Sequence, residues 1–303
     1  MPNHGVYVSE NATSISTPVT VATGIAFIPG LAPIQNAEEP AAVNTPVLIT
    51  SLNEFKTKFG WSEDFATYTL CQFAYAHFAL FGVGPAIFVN LLDPATHKSA
   101  VAAADKDVTG KKVALTAKTI DDTGLVVKAQ GGSGNAYVKD TDYAVYYSDE
   151  KLVVELLPAS AHYNETQLNI AYNEVTPASV TAAMVATAVE KADLCMTGLG
   201  IVPDILLAPG FSHNATVAAA LAAKASAING MFKAVALVDI DTSVATDYSS
   251  VVNTKNSGNI TSEYEIACWP KAKLGDYTFY LSALYAGVIA ATDNDYGAPY
   301  VSP

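Results

Sequence analysis

Residues 263–303 read EYEIACWPKAKLGDYTFYLSALYAGVIAATDNDYGAPYVSP, and this stretch decides the fold. It holds a run suited to a buried strand (264–269), a polar loop, an apolar helix and a turn. Pro270 has no amide hydrogen for a ladder, so it helps to end the strand. The helix is expected over 277–291 with Tyr280, Leu284 and Val288 on one stripe, and Gly297 and Pro299 break it. A core-type strand and helix followed by so little chain is unusual for a complete domain.

The same alternation repeats upstream. Apolar strands are expected over 204–208 and 234–239, separated by a helix over 214–229. An Ala-rich helix should run from Pro177, a favourable first helical residue, to about Thr197. Near the beginning, strands over 21–28 (closed by Pro29-Gly30), 46–49 and 86–92 bracket two helices. Ser51-Leu52-Asn53-Glu54 is a capping box that starts the first helix, which ends at Gly60. The second, over 64–81, is apolar almost all round and should be buried on more than one face. Buried strands alternating with helices indicate a layered α/β sheet.

Between 108 and 173 the texture changes. Short alternating strands over 113–117, 125–128, 143–147, 152–156 and 167–171 are separated by Asp/Gly/Ser turns, with no helical period. The expected architecture is an α/β domain interrupted by a small inserted all-β domain. Its divisions are an extended N-terminal arm (1–20), the first α/β part (21–104), the β insertion (105–176) and the second α/β part (177–303). In the arm, Gly5-Val6-Tyr7-Val8 form a short strand with no hairpin partner beside it. It suits a disordered tail, an edge strand of its own domain, or a strand donated to a neighbour.

Composition narrows the function. The 303 residues carry 29 acidic and 16 basic side chains, a net charge of −13, and every basic residue is lysine. Bidentate recognition of phosphate or guanine edges relies on arginine, so sequence-specific nucleic-acid binding is not expected. Apolar residues make up 50 % of the chain and charged ones 15 %, a balance that fits extensive burial against copies of itself or a large core. No segment reaches the ~18 apolar residues of a membrane span and no apolar leader precedes MPNHGVYVSE, so a cytosolic product without membrane insertion is expected. Cys71, Cys195 and Cys268 stand far apart in apolar runs, as buried free thiols do, and offer no metal-ligand spacing.

The chemistry-bearing motifs are incomplete. Gly131-Gly132-Ser133-Gly134 lacks the Lys-Ser/Thr of a phosphate loop, and Gly198-Leu199-Gly200 follows a helix and lacks the third glycine of a dinucleotide fingerprint. Neither a cofactor nor a metal is expected. Ser212 and His213 end one strand and Asp239 and Asp241 the next, where α/β enzymes keep their sites. They could be drawn as a triad. Adjacent Ser and His side chains rarely meet in nucleophile–base geometry, however, and no G-x-S-x-G elbow is present. Ser212 reads more simply as a helix N-cap, so no catalytic residue is assigned. His77 reads as a satisfied core or interface residue; His4, His97 and His162 have no evident partners.

Six separated segments, in one order, resemble contractile tail sheath proteins of bacteriophages and related injection machines. They are HGVYVSE (4–10), TPVTVATGIAFIPGLAP (17–33), PVLITSLNEFKTKFG (46–60), YVKDTDYAVYYSDEKLVVELL (137–157), DILLAPGFS (204–212) and the stretch quoted first. The departures are the absent arginines, notably Ala291 where many relatives read Arg before Thr-Asp. In that family more than a hundred residues usually follow, so the resemblance implies a chain without its C-terminal part. It further implies a structural, non-enzymatic subunit that polymerises helically around an inner tube and contracts to drive the tube through a target envelope. The implied partners are copies of itself, the inner tail tube protein, and baseplate and tail terminator proteins. The implied location is the virion tail, with assembly in the host cytoplasm. Gly5, Val6, Tyr7 and Val8 would be the donated strand. A baseplate or tube-end protein of the same machine is the alternative, and an α/β hydrolase-like enzyme with a β insertion the more distant one.

Overall fold

The computed structural model describes residues 24–297. Its first elements are β1 (Ala26–Gly30), β2 (Val47–Ile49), α1 (Leu52–Phe59), α2 (Thr69–Ala74) and β3 (Ala86–Asn90). A run of strands follows: β4 (Lys98–Asp107), β5 (Lys112–Ala114), β6 (Thr119–Ile120), β7 (Val126–Ala129), β8 (Tyr143–Ser148), β9 (Lys151–Leu156) and β10 (Gln167–Val175). Then come α3 (Ala182–Val189), α4 (Leu194–Leu199), β11 (Ile205–Leu207), α5 (Ala215–Ser226), β12 (Val235–Asp239), α6 (Tyr248–Ser257) and β13 (Glu265–Cys268). The hairpin β14 (Ala272–Leu274) and β15 (Tyr277–Phe279) leads into α7 (Leu281–Tyr296).

The central sheet has six strands in the order β13-β12-β11-β1-β3-β2, parallel except for β2. β1, β3 and β11 are buried at every residue, which is why they read as unbroken apolar runs. α2 and α7 pack together on one face, α3 and α5 on the other. Phe88 of β3 anchors an aromatic cluster, with ring centroids 4.9 Å from Phe55 and 5.7 Å from Phe73. From β1 the chain steps to β3 on one side, and after β10 it returns to β11 on the other. Carboxyl ends of neighbouring strands whose connections diverge leave a crevice, here between β1 and β11.

Residues 98–175 contain no α-helix. β4, β10, β6 and β7 form one sheet, and β5, β9 and β8 another. Between them Val127, Leu152, Val154, Leu168 and Ile170 build an apolar cluster separate from the main core.

Several elements differ from the sequence reading. β1 continues through Pro29 and Gly30 instead of stopping before them. The ladder to β11 ends at Phe27, so on that side no partner remains to miss the proline amide. β4 is continuous from Lys98 to Asp107, so the expected boundary between 104 and 105 falls inside a strand. The helix expected over 64–81 starts only at Thr69 and continues past Ala74 as a π-helical segment, Tyr75–Leu80. The single helix expected over 177–197 is divided: Pro177 opens a 3-10 turn, and Thr181 caps α3 by accepting the Met184 amide.

The stretch quoted first also changes. The strand expected to be buried is an edge strand, with Ile266 37 % exposed. Tyr277–Phe279 belongs to a hairpin, and α7 runs to Tyr296. α7 does not bury the Tyr280, Leu284, Val288 stripe. It buries Ser282, Ala283, Ala286, Gly287, Ala290 and Asp293. Small residues let a helix approach closely, and Gly287 shows how closely: a Cβ there would lie 2.3 Å from the Phe81 ring.

The capping box at α1 is half as drawn. Ser51 Oγ accepts the Glu54 amide at 3.2 Å, but the Glu54 carboxylate reaches one residue further back, accepting from the Thr50 amide at 2.9 Å. Gly60 ends the helix at φ 73°, a backbone region that favours glycine.

Candidate functional site

The carboxyl ends of β11 and β12 bring Ser212 and Asp239 together, but not as a triad. Ser212 Oγ donates to Asp239 Oδ2 at 3.0 Å and accepts the Asp239 amide at 3.0 Å. Ser282, in the first turn of α7, completes the cluster. Its amide donates to Asp239 Oδ1 at 3.0 Å and its hydroxyl to Oδ2 at 2.6 Å. All three residues are buried. Burial pushes the Asp239 carboxyl above the usual range, and the Ser282 and Ser212 hydrogen bonds oppose that push.

This arrangement holds structure together. A nucleophilic serine needs a base that accepts its proton and an open approach for substrate. The Asp239 oxygen that Ser212 reaches also accepts from Ser282, and none of the Ser212 surface is open to a substrate. His213, the next residue, is exposed. Asp241 accepts from the amide and hydroxyl of Ser243, which hold its carboxyl below the usual range. Ser212 is not the expected N-cap either; that role falls to Asn214, whose side chain accepts the Thr216 amide at 3.0 Å. Ser282 escaped the sequence reading. Its signal was a polar residue at a position that α7 buries among alanines.

The crevice between β1 and β11 opens into a cleft of about 540 Å³. Leu31, Phe211, Val175 and Val180 give it apolar walls, and Lys118 and Glu174 come from the strand-only segment. At the carboxyl end of β3, Asn90 Oδ1 accepts the Ala32 and Leu92 amides at 2.9 and 3.2 Å and so ties down the two strand ends. The cleft touches Gly210 and Phe211 but not Ser212, whose hydroxyl points into the protein instead. No group of three or more His, Cys, Asp or Glu side chains suited to a metal occurs among the described residues.

The glycine motifs are turns. The Gly131 amide donates to Asp105, and Gly200 ends α4 in the left-handed conformation. All three cysteines are buried and unpaired, and burial pushes their thiols up, that of Cys195 to about 12. His97 and His162 do have partners. His97 Nδ1 accepts the Asp93 amide at 3.1 Å, and His162 stacks on Tyr137 with centroids 3.7 Å apart.

His77 departs from its expectation in one respect. It lies in the core, stacked on Phe73 with centroids 4.9 Å apart, yet neither ring nitrogen has a hydrogen-bond partner among the described residues. Burial lowers its pKa to about 3. The strand Gly5, Val6, Tyr7, Val8 lies outside the described residues, as does His4. Among the described residues no helix is long and apolar enough to cross a membrane.

No family model matches the chain. Two solved sheath tail proteins superpose on it loosely. That of Listeria innocua has a TM-score of 0.43 at 12 % identity, covering 90 % of this chain and 56 % of the other. That of Desulfitobacterium hafniense has a TM-score of 0.44 at 13 % identity, covering 96 % and 62 %. In sequence, the tail sheath protein of Burkholderia phage BcepMu is 28 % identical over 318 residues, 97 % of this chain. The chain is thus similar over nearly its whole length to a phage tail sheath protein, of which it spans 62 %.

Proposed function

We propose that this chain is a structural subunit of a contractile tail sheath, polymerising helically around an inner tube and contracting to drive it through a target envelope. The observation that carries the reading is the continuous similarity to a phage tail sheath protein over 97 % of the chain. The buried Ser212–Asp239–Ser282 cluster supports it from the other side, because it removes the residues an α/β hydrolase would need.

Within that reading the α/β body is residues 21–97 and 176–303, with 98–175 as the inserted, outward β domain. Residues 1–20 are an arm whose Gly5-Val6-Tyr7-Val8 strand adds to a sheet of a neighbour. Main-chain hydrogen bonds make such a tether tight yet tolerant of rotation between rigid bodies, as contraction demands. The partners are further copies, the inner tail tube protein, and the baseplate and tail terminator proteins. Assembly takes place in the host cytoplasm, and the subunit ends in the virion tail.

Negative-stain microscopy of the protein as its host makes it tests the reading. Long striated tubes are the expected outcome. Small closed rings would favour a baseplate or tube-end protein, and discrete particles with esterase turnover would overturn the structural role.

A further inference from the structure

β4 is a sheet edge left open. It has ten residues, pairs among the described residues with β10 along one side only, and leaves eight of the ten exposed. Such an edge offers a row of unpaired amides and carbonyls, and proteins ordinarily guard it with central lysines, proline or brevity. The other edges of these sheets are shorter, β2 and β5 at three residues each, β13 at four and β8 at six. The middle of β4, Ser99-Ala100-Val101-Ala102-Ala103-Ala104, carries no charge and no bulky side chain but one valine.

Its charges sit at the ends, and they are self-complementary. When two copies of β4 lie antiparallel in full overlap, Lys98 faces Asp107 of the second copy, and Asp107 faces Lys98 of the second copy. Ser99 then faces Lys106, Ala100 faces Asp105, and no like charges oppose each other. A shift of one residue toward the amino end would set Lys98 against Lys106.

The backbone agrees with this register. A bulge leaves Ala102 and Ala103 together opposite Ala171, with Val101 paired to Tyr172 and Ala104 to Ile170. The bulge puts Val101 and Ala104 on the same face, and in the full-overlap pair those two oppose each other. The two-fold axis falls on the bulged residues, so both strands bend at the same point.

We infer that β4 is a docking edge for β4 of a second copy, joining two chains by antiparallel strand pairing. The inference does not depend on the sheath reading. A two-fold pair is closed and cannot repeat along a polar helix, so in a sheath-forming protein it would hold free subunits out of head-to-tail assembly.

Charge exchange tests it in the full chain, with sedimentation velocity as the readout and circular dichroism to confirm folding. The wild-type chain should show a concentration-dependent dimer. Lys98→Glu alone, or Asp107→Lys alone, sets like charges opposite each other twice per dimer and should weaken association roughly tenfold. Mixing the two single variants restores opposite charges at both ends and should restore the dimer, as should the double variant K98E/D107K. Within one chain Lys98 pairs with Asp122 at 2.8 Å, and Asp107 accepts from Gln167 at 2.7 Å. A merely structural loss would therefore not be repaired by mixing. A wild-type chain monomeric up to millimolar concentration would overturn the inference. So would folded single variants that associate like wild type, or a mixture that stays monomeric.

Discussion

Asp239, at the last residue of β12, caps α7 from the neighbouring layer. Its carboxylate accepts both the amide and the hydroxyl of Ser282, at 3.0 and 2.6 Å. The residue before α7, Tyr280, makes no side-chain cap of its own. One buried carboxylate therefore fixes how the last helix meets the sheet, and it supplies negative charge where the helix dipole favours it. Removing it by Asp239→Ala leaves the Ser212 and Ser282 donors buried without acceptors and should cost roughly 3 kcal/mol in urea unfolding at neutral pH. Asp239→Asn keeps an oxygen for the Ser282 amide, and the serine hydroxyls can rotate to accept, so it should cost roughly 1 kcal/mol. Its folded-state pKa lies above the unfolded value, so the Asp239 contribution to stability is fullest at low pH. It declines as pH rises from the ordinary carboxylate range to the raised value. Asp239→Asn should remove that decline, and an unchanged pH profile would refute the assignment.

His77 acts in the opposite sense. Its pKa is about 3 in the folded chain against an ordinary 6.5, so the unfolded chain binds a proton that the folded chain refuses. Stability is unaffected above that ordinary value and falls as pH drops below it, by at most about 1.4 kcal/mol per pH unit. His77→Phe preserves the stack on Phe73 without the unpaired nitrogens. It should raise stability and flatten the acid limb, measured as urea midpoints at neutral pH and in mild acid. Equal limbs in the two proteins would show that other groups carry the acid sensitivity.

Gly287 and Phe81 should be energetically coupled. A Cβ at 287 would meet the Phe81 ring at 2.3 Å, so Gly287→Ala forces the half-buried ring aside at a cost of roughly 1–2 kcal/mol. In a Phe81→Ala background the same substitution should be nearly neutral. A double-mutant cycle without coupling would mean that the helix itself, and not the ring, yields.

Deleting residues 1–20 separates arm from body. Every described core residue lies at or beyond Ile25, so the truncated chain should keep its unfolding midpoint. Under the sheath reading it should lose tube growth. Tubes indistinguishable from wild type would exclude the donated-strand role of Gly5, Val6, Tyr7 and Val8.

Much of the α/β body was legible because local and tertiary preferences agree there. The apolar runs of β1, β3, β11 and β12 admit few readings other than buried strands, and Ser51 and Gly60 mark the ends of α1 by local hydrogen bonding and backbone freedom. Where the two preferences part, the reading failed. Eight of the ten residues of β4 are Ala, Asp or Lys, poor strand formers, and it is extended because β10 supplies its ladder. α6 went unseen because none of its residues is buried and it carries no clear apolar stripe, although Asp247 caps it plainly.

The candidate triad shows the same division. Its residue types and their place at strand ends could be seen in the chain, but not which atoms meet. Ser212 and Asp239 are 27 positions apart, and Ser282 lies 43 beyond Asp239. Periodicity, caps and composition, all local properties, were enough by themselves to read a layered α/β protein with a strand-rich segment, in a chain whose basic residues are all lysine. The partner of each buried polar group, the face that α7 turns inward and the edge that β4 leaves open were decided only by tertiary packing. A buried donor or ladder is satisfied by whatever the fold brings beside it, however distant in sequence.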